Sequence, residues 1–318
     1  MKIVITDGNA VNPGDLSWDF LNQYGQVVVY PRTPAELAVE RLQGADIILI
    51  NKTPITPEVL DACPTIKLIC VLATGYNVVD CQAARARGIP VCNVPDYSTN
   101  AVAQFTFSLL LELCNAVGHH NTLTHNGTWS RCPDFCFWDT PQLELAGKTI
   151  GIIGFGRIGR TVGKIAKAFG MDVLAFNRSR CPEGEAIGQY VDLNTLLERA
   201  DVVSLHCPLK PLTEGIMNDA TIAQMKDGAI LLNTARGPLI DENAVAAALH
   251  AGKLKGFAAD VVSSEPILES NPLLSAPNCI LTPHMAWAPI ESRKRILECT
   301  TASIEGFLAG TPVNTVNM

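Results

Sequence analysis

Three short segments, each closing an apolar run, hold side chains able to do chemistry: Asn233-Thr234-Ala235-Arg236-Gly237, Asp260-Val261-Val262-Ser263-Ser264-Glu265-Pro266 and Leu281-Thr282-Pro283-His284. A guanidinium offers a planar two-point grip on a carboxylate and can polarise a carbonyl beside it. An imidazole can give a proton in a reduction near neutral pH and take one back in an oxidation. A carboxylate on the far ring nitrogen of such an imidazole fixes its tautomer and stabilises its cationic form. Arg236, His284 and Glu265 are the candidates for these three catalytic posts, and together they suit the interconversion of a 2-keto and a 2-hydroxy acid. Taken singly, each has a plain reading: a surface arginine, a glutamate beside Pro266, and a histidine held by the turn at Pro283.

A second constellation is Gly154-Phe155-Gly156-Arg157-Ile158-Gly159, which follows the apolar run 149–153 and opens a helical pattern. Alone this spacing is weak; between a strand and a helix it reads as a dinucleotide cradle. Gly154 permits the tight turn, Gly156 the approach of a pyrophosphate, and Gly159 the close packing of helix on strand. An acidic residue normally ends the next strand and receives the ribose hydroxyls, but here Asn177-Arg178-Ser179-Arg180 stands in its place. Without a carboxylate to repel a 2′-phosphate, and with two guanidinium groups at hand, the cofactor expected is NAD(P), with NADP favoured over NAD. Solvated arginines are the plainer account of Arg178 and Arg180.

The elements that must position these groups alternate along the chain. Strands are expected at 3–6, 27–30, 47–50, 68–72 and 89–93, with helices at 34–42, 57–62 and 81–87, Thr56 as an N-cap and Gly88 as a stop. A second series follows Gly147-Lys148: strands at 149–153, 173–176, 202–205, 229–233, 256–260 and 279–281, and a helix at 157–169. The pattern predicts an α/β protein of two Rossmann-like, doubly wound parallel-sheet domains with a cleft between them. Residues 119–142, rich in His, Cys, Pro and aromatics without a period, are expected to run irregularly over the surface. A final helix near 290–309 comes after the second sheet and is expected to return to the first domain.

Composition narrows the partners. With 318 residues, 47% of them hydrophobic, 17% charged and a net charge of -7, the chain has no basic excess for nucleic acid. The most apolar helical stretch, 101–117, is broken by Gln104, Ser108, Glu112 and Asn115, so no membrane span is expected. The start, Lys2-Ile3-Val4-Ile5-Thr6-Asp7-Gly8, reads as a strand and turn and not as a signal peptide. Eleven scattered cysteines without a CxxC pair suit reduced thiols in the cytoplasm. His119, His120 and His125 lack a metal-ligand pattern, and no metal is expected.

With these residues in view, the chain closely resembles the D-isomer-specific 2-hydroxyacid dehydrogenase family. The likeness runs through Ala73-Thr74-Gly75-Tyr76-Asn77-Val78-Val79-Asp80, the glycine loop, His206-Cys207-Pro208-Leu209, and the Arg, Glu and His segments in order. It implies that backbone N–H groups of Thr74 and Gly75 hold the substrate carboxylate, that Asp260 meets the nicotinamide carboxamide, and that Pro208 and Thr213 line the adenosine end. Cys207, Thr234 and Ala235 fall on the cofactor-binding segments of the same pattern. It further implies a discontinuous substrate domain, 1–98 plus 289–318, around a cofactor domain, 99–288, and a homodimer formed through 101–117. The stretch Thr282-Pro283-His284-Met285-Ala286-Trp287-Ala288 resembles members that reduce hydroxypyruvate or glyoxylate, which makes D-glycerate the expected product. Trp287 is placed as a pocket wall and Lys52 as a source of positive potential; plain core and a solvated lysine are the alternatives. A bulkier keto acid such as an aromatic pyruvate is the competing substrate. A nucleotide-sensing corepressor on the same fold would not need all three catalytic groups.

Overall fold

Four-residue apolar runs such as Ile47–Ile50 and Leu68–Val71 can bury both faces, so they favour the middle of a parallel sheet covered by helices on either side. The computed structural model describes residues 1–318 and follows that logic in two compact units, Met1–Ser98 with Ala288–Met318, and Thr99–Trp287.

In the first unit β1 (Lys2–Ile5), β2 (Gln26–Val29), β3 (Ile47–Ile50), β4 (Leu68–Val71) and β5 (Val91–Cys92) form a parallel sheet in the order β2-β1-β3-β4-β5. Local signals set the connections. Thr56 accepts the Val59 N–H and Pro57 opens the helix Pro57–Ala62; Asp80 caps Cys81–Ala86, and Gly88, at φ +68°, ends that turn. The last helix, Ile290–Leu308, belongs to this unit and packs against β4.

In the second unit β6 (Thr149–Ile153), β7 (Asp172–Phe176), β8 (Gln189–Tyr190), β9 (Val202–Leu205), β10 (Ala229–Asn233), β11 (Leu254–Ala259) and β12 (Cys279–Leu281) are all parallel. Their order is β12-β11-β10-β9-β6-β7-β8. The winding reverses between β6 and β9, which leaves a crevice at their carboxyl ends. One face is packed by Leu205, Leu231, Phe257, Val245 and Leu249, the other by Phe107, Leu110, Ile150, Ile152 and Leu232. Truncating a side chain such as fully buried Phe257 to alanine costs about 3–5 kcal/mol, so these cores hold the strand ends rigidly.

The structure departs from the sequence reading in five places. The apolar helix runs Thr99–Asn115 and stops there because Ala116 is left-handed, at φ 45°. Residues 119–142 are not wholly irregular, since a helix spans Val117–His125. That helix has no apolar stripe to signal it, and its Thr122 and Thr124 hydroxyls turn back onto the carbonyls of Gly118 and His120. His119 and His120, which a solvated polar loop would leave to water, approach the Asp139 carboxylate at 2.8 and 3.3 Å. The segment 34–42 begins as a 3₁₀ turn, Ala35–Leu37, and the two-residue edge strand β8 is too short to carry a period. No single helix is long and apolar enough to cross a membrane.

Candidate active site

The glycine loop separates what packing requires from what it does not. A Cβ on Gly154, where φ is +95°, would fall 2.3 Å from the Cys207 nitrogen, and one on Gly159 would fall 2.2 Å from the Gly154 oxygen. Both glycines are demanded by the protein's own backbone. Gly156 is not: its φ of -77° is ordinary, and an added Cβ would meet nothing within 4 Å. The space it keeps open lies at the N-terminus of the helix Arg157–Ala168, where unpaired N–H groups and the helix dipole favour an anion. These residues fit a dinucleotide pyrophosphate. Gly156→Ala is therefore expected to leave the thermal midpoint of the free protein unchanged while weakening dinucleotide binding at least about tenfold, the effect of losing ~1.4 kcal/mol. A titration of the variant with NADPH, set beside its unliganded melting curve, checks this.

The neighbouring cofactor candidates divide in the same way. Phe155 gives the site only its backbone, since its ring is buried edge-on against Tyr190 with centroids 5.6 Å apart. Its N–H donates to Asn177 Oδ1 at 3.3 Å, while Asn177 Nδ2 donates to the Ser179 carbonyl at 2.8 Å, so Asn177 spends its amide shaping the loop. Arg157, Arg178 and Ser179 are exposed, and Ile158 is half-buried. Arg180 lies over the Tyr190 ring, 5.8 Å from its centroid. Across the crevice the His206 N–H donates to the Ile153 carbonyl at 2.7 Å, and Cys207 is buried beside Gly154. Thr213 closes the next loop: its hydroxyl donates to the Pro208 carbonyl at 2.7 Å and accepts the Lys210 N–H at 2.8 Å. The His206 imidazole pairs through Nε2 with Ser204 Oγ at 2.8 Å, and burial pushes its pKa down to about 3, so it stays neutral.

The acid-base group is assembled from three adjacent strand ends. β10, β11 and β12 stop in register, with Asn233 opposite Ala259 and Ala259 opposite Leu281, so the chains leaving them share one edge. After β10, the buried Asn233 amide donates to the Arg236 carbonyl and accepts the Ala235 N–H, at 2.9 and 3.1 Å. This bends Thr234-Ala235-Arg236 into a turn that leaves Arg236 exposed. Gly237 presses on the second loop, since a Cβ there would lie 2.0 Å from the Val262 carbonyl. Thr234 is buried, its hydroxyl 2.9 Å from that of Thr106. After β11, Glu242 holds the loop by accepting the N–H and hydroxyl of Ser263 at 2.8 and 2.7 Å.

After β12, His284 occupies the left-handed region at φ 53°, uncommon for a residue with a Cβ, and the surroundings account for it. Asp260, 1% exposed, accepts the Thr282 hydroxyl at 2.6 Å, the Met285 N–H at 2.8 Å and the Ala286 N–H at 2.7 Å. The His284 N–H donates to the Thr282 carbonyl at 2.9 Å, and its carbonyl accepts from Trp287 Nε1 at 2.8 Å. With the backbone so fixed, His284 Nδ1 meets Glu265 Oε2 at 2.7 Å, the two side chains being 33% and 35% exposed. The far nitrogen, Nε2, is the one left to face a ligand.

Asp260 and Trp287 thus act on the histidine turn, a use the sequence reading did not foresee. The loop-shaping roles of Asn233 and Glu242 were equally unforeseen. A buried Asn or Asp closing or following a strand, three or more residues ahead of a reactive side chain, is the signal for Asn233 and Asp260; Glu242, which opens a helix, carries none.

In the first unit the candidates sit on loops after β3 and β4. Asp7 Oδ2 accepts the N–H groups of Asn51, Lys52 and Thr53 at 2.9, 2.9 and 3.0 Å. Those bonds hold the Asp7 carboxyl below its ordinary range against the opposing effect of burial, the larger single influence, and they leave the Lys52 side chain exposed. Thr74 and Gly75 are exposed, with the Thr74 hydroxyl donating to the Val94 carbonyl at 2.8 Å.

Comparison with known proteins gives a consistent result. Residues 107–286 match the NAD binding domain of D-isomer specific 2-hydroxyacid dehydrogenases. The chain is 53% identical over 321 residues to a hydroxypyruvate reductase of Blautia hydrogenotrophica, covering 100% of both chains. It is 40% identical over 317 residues to a glycerate dehydrogenase of Methylorubrum extorquens, covering 99% of this chain and 98% of that one. An acyclic imino acid reductase in complex with NADPH and D-arginine superposes with a TM-score of 0.85 at 32% identity, over 99% and 100% of the two chains.

Proposed function

From its membership of the D-isomer-specific 2-hydroxyacid dehydrogenase family, to which the chain belongs over its full length, we propose that it reduces hydroxypyruvate to D-glycerate, with glyoxylate as a second substrate and NADPH as the preferred reductant. The observation that carries this reading is the His284–Glu265 pair, held at 2.7 Å on a turn built by Asp260.

Arg236 grips the substrate carboxylate and polarises the keto oxygen next to it. The first unit's own candidates for binding an anion are the backbone N–H groups of Thr74 and Gly75, with the positive potential of Lys52. Glu265, on Nδ1, keeps the proton-carrying Nε2 of His284 turned to the substrate. His284 then passes that proton to the keto oxygen as the 2-carbon is reduced, and recovers one in the reverse direction. When bound, the nicotinamide supplies the hydride; Gly154, Gly156 and Gly159 would hold its pyrophosphate and Arg178 with Ser179 the ribose end. The unit Thr99–Trp287 is thereby the cofactor domain and the remainder the substrate domain. The helix Thr99–Asn115 is the proposed homodimer contact. The eleven cysteines are all free, which suits a reducing compartment such as the cytoplasm.

The test is a panel of hydroxypyruvate, glyoxylate, pyruvate and phenylpyruvate, each with NADPH and NADH. Hydroxypyruvate with NADPH is expected to give the highest kcat/KM. A tenfold preference for phenylpyruvate overturns the substrate, and a tenfold preference for NADH overturns the cofactor.

A further inference from the structure

Neither guanidinium that the sequence offers for a 2′-phosphate is fixed toward one: Arg178 is exposed, and Arg180 is laid over the Tyr190 ring. A third cation reaches the same loop from the helix Arg157–Ala168. Arg160 lies in the first turn after the glycine cradle, on the face of the helix Arg157–Ala168 that Gly163 presses against Ile187 and Phe155. Helical side chains lean toward the N-terminus of their helix, here the end at the cradle. The Arg160 guanidinium accordingly crosses to the loop after β7, where Nη1 donates to the Cys181 sulfur at 3.3 Å. Cys181 directly follows Asn177-Arg178-Ser179-Arg180 and lies 3.8 Å from the Tyr190 hydroxyl, which anchors it. Glu183 is an acidic group near Arg160; its carboxyl is held low first by a backbone hydrogen bond and next by the Cys181 thiol, with Arg160 adding a smaller charge effect. That carboxylate competes for the cation, so a purely structural ion pair is the alternative to be excluded.

We propose that Arg160 determines cofactor choice: its guanidinium, steadied by the Cys181 thiol, pairs with the 2′-phosphate of NADPH alongside Arg178. A guanidinium meets a phosphate by two parallel hydrogen bonds, and a partly buried one has fewer rotamers to give up on binding than an exposed one. The inference rests on the NADPH reading above and adds to it a residue outside the loop after β7.

The experiment is equilibrium binding of NADPH, NADH, 2′,5′-ADP and 5′-AMP to the purified protein, with the unliganded melting temperature recorded alongside. The last two ligands differ only by the 2′-phosphate and carry no nicotinamide, so the readout is independent of turnover. Arg160→Gln should weaken NADPH and 2′,5′-ADP at least about tenfold, as expected for losing one charge-assisted contact. NADH and 5′-AMP should change by less than about twofold. The salt dependence of NADPH binding should flatten in the same variant. Cys181→Ala should give a smaller loss with the same pattern. Equal losses for all four ligands, or a lowered melting temperature with unchanged phosphate preference, mean that Arg160 only braces the fold with Glu183, and the proposal fails. If the unmodified protein prefers 2′,5′-ADP over 5′-AMP and Arg160→Gln preserves that preference, only the role of Arg160 is overturned. If the unmodified protein shows no preference, the NADPH reading falls, and this inference with it.

Discussion

His284→Ala should lower kcat for hydroxypyruvate reduction by about 10²–10⁴-fold while NADPH binds as before. The range is what a positioned proton donor contributes when the developing alkoxide must otherwise take its proton from water. The ring is hydrogen-bonded to Glu265, so its removal spares the glycine loop some strands away in the sheet. Stopped-flow single turnovers with hydroxypyruvate separate the chemical step from release of product. A kcat within about threefold of the unmodified enzyme would remove His284 from the chemistry. Glu265→Gln keeps a hydrogen-bonding group on Nδ1 but loses the charge, so it should fall between the two.

Arg236→Lys should raise KM and lower kcat together, cutting kcat/KM by about 10²-fold, the equivalent of ~2.7 kcal/mol. A lysine keeps the charge but offers a flexible point donor where the arginine presents a planar fork. The carboxylate would still be attracted, but the keto carbon would no longer be held in line for reduction. The turn itself should survive, because Asn233 shapes it through backbone atoms, donating to the carbonyl of residue 236 and accepting the N–H of residue 235. Steady-state kinetics checks this against the melting temperature; unchanged kinetics would assign the carboxylate to another cation.

The contrast between these two residues marks what was legible in the sequence. Strand runs such as Val202–Leu205 and Ala229–Asn233 stand out because a strand buried on both faces is a continuous apolar block ended by polar or turn residues. The glycine spacing and the reactive side chains at strand ends were equally visible. Hidden was the framing of the site. Asp260 holds the His284 turn by accepting from residues 282, 285 and 286, a long-range use that no spacing announces. The helix Val117–His125 lacked an apolar period, and the diversion of Arg180 onto Tyr190 depends on β8 lying beside β7. In each case the deciding contact joins elements that local sequence cannot pair.

Catalysis by this chain requires one arrangement, a guanidinium and an imidazole meeting a single small acid. A crystal structure with NADPH and D-glycerate, an unreactive pair because both partners are already reduced, tests it most directly. The expected result is the glycerate carboxylate on Arg236 with its 2-hydroxyl within about 3 Å of His284 Nε2. Glycerate bound elsewhere, with His284 Nε2 turned to water or to another side chain, would contradict it.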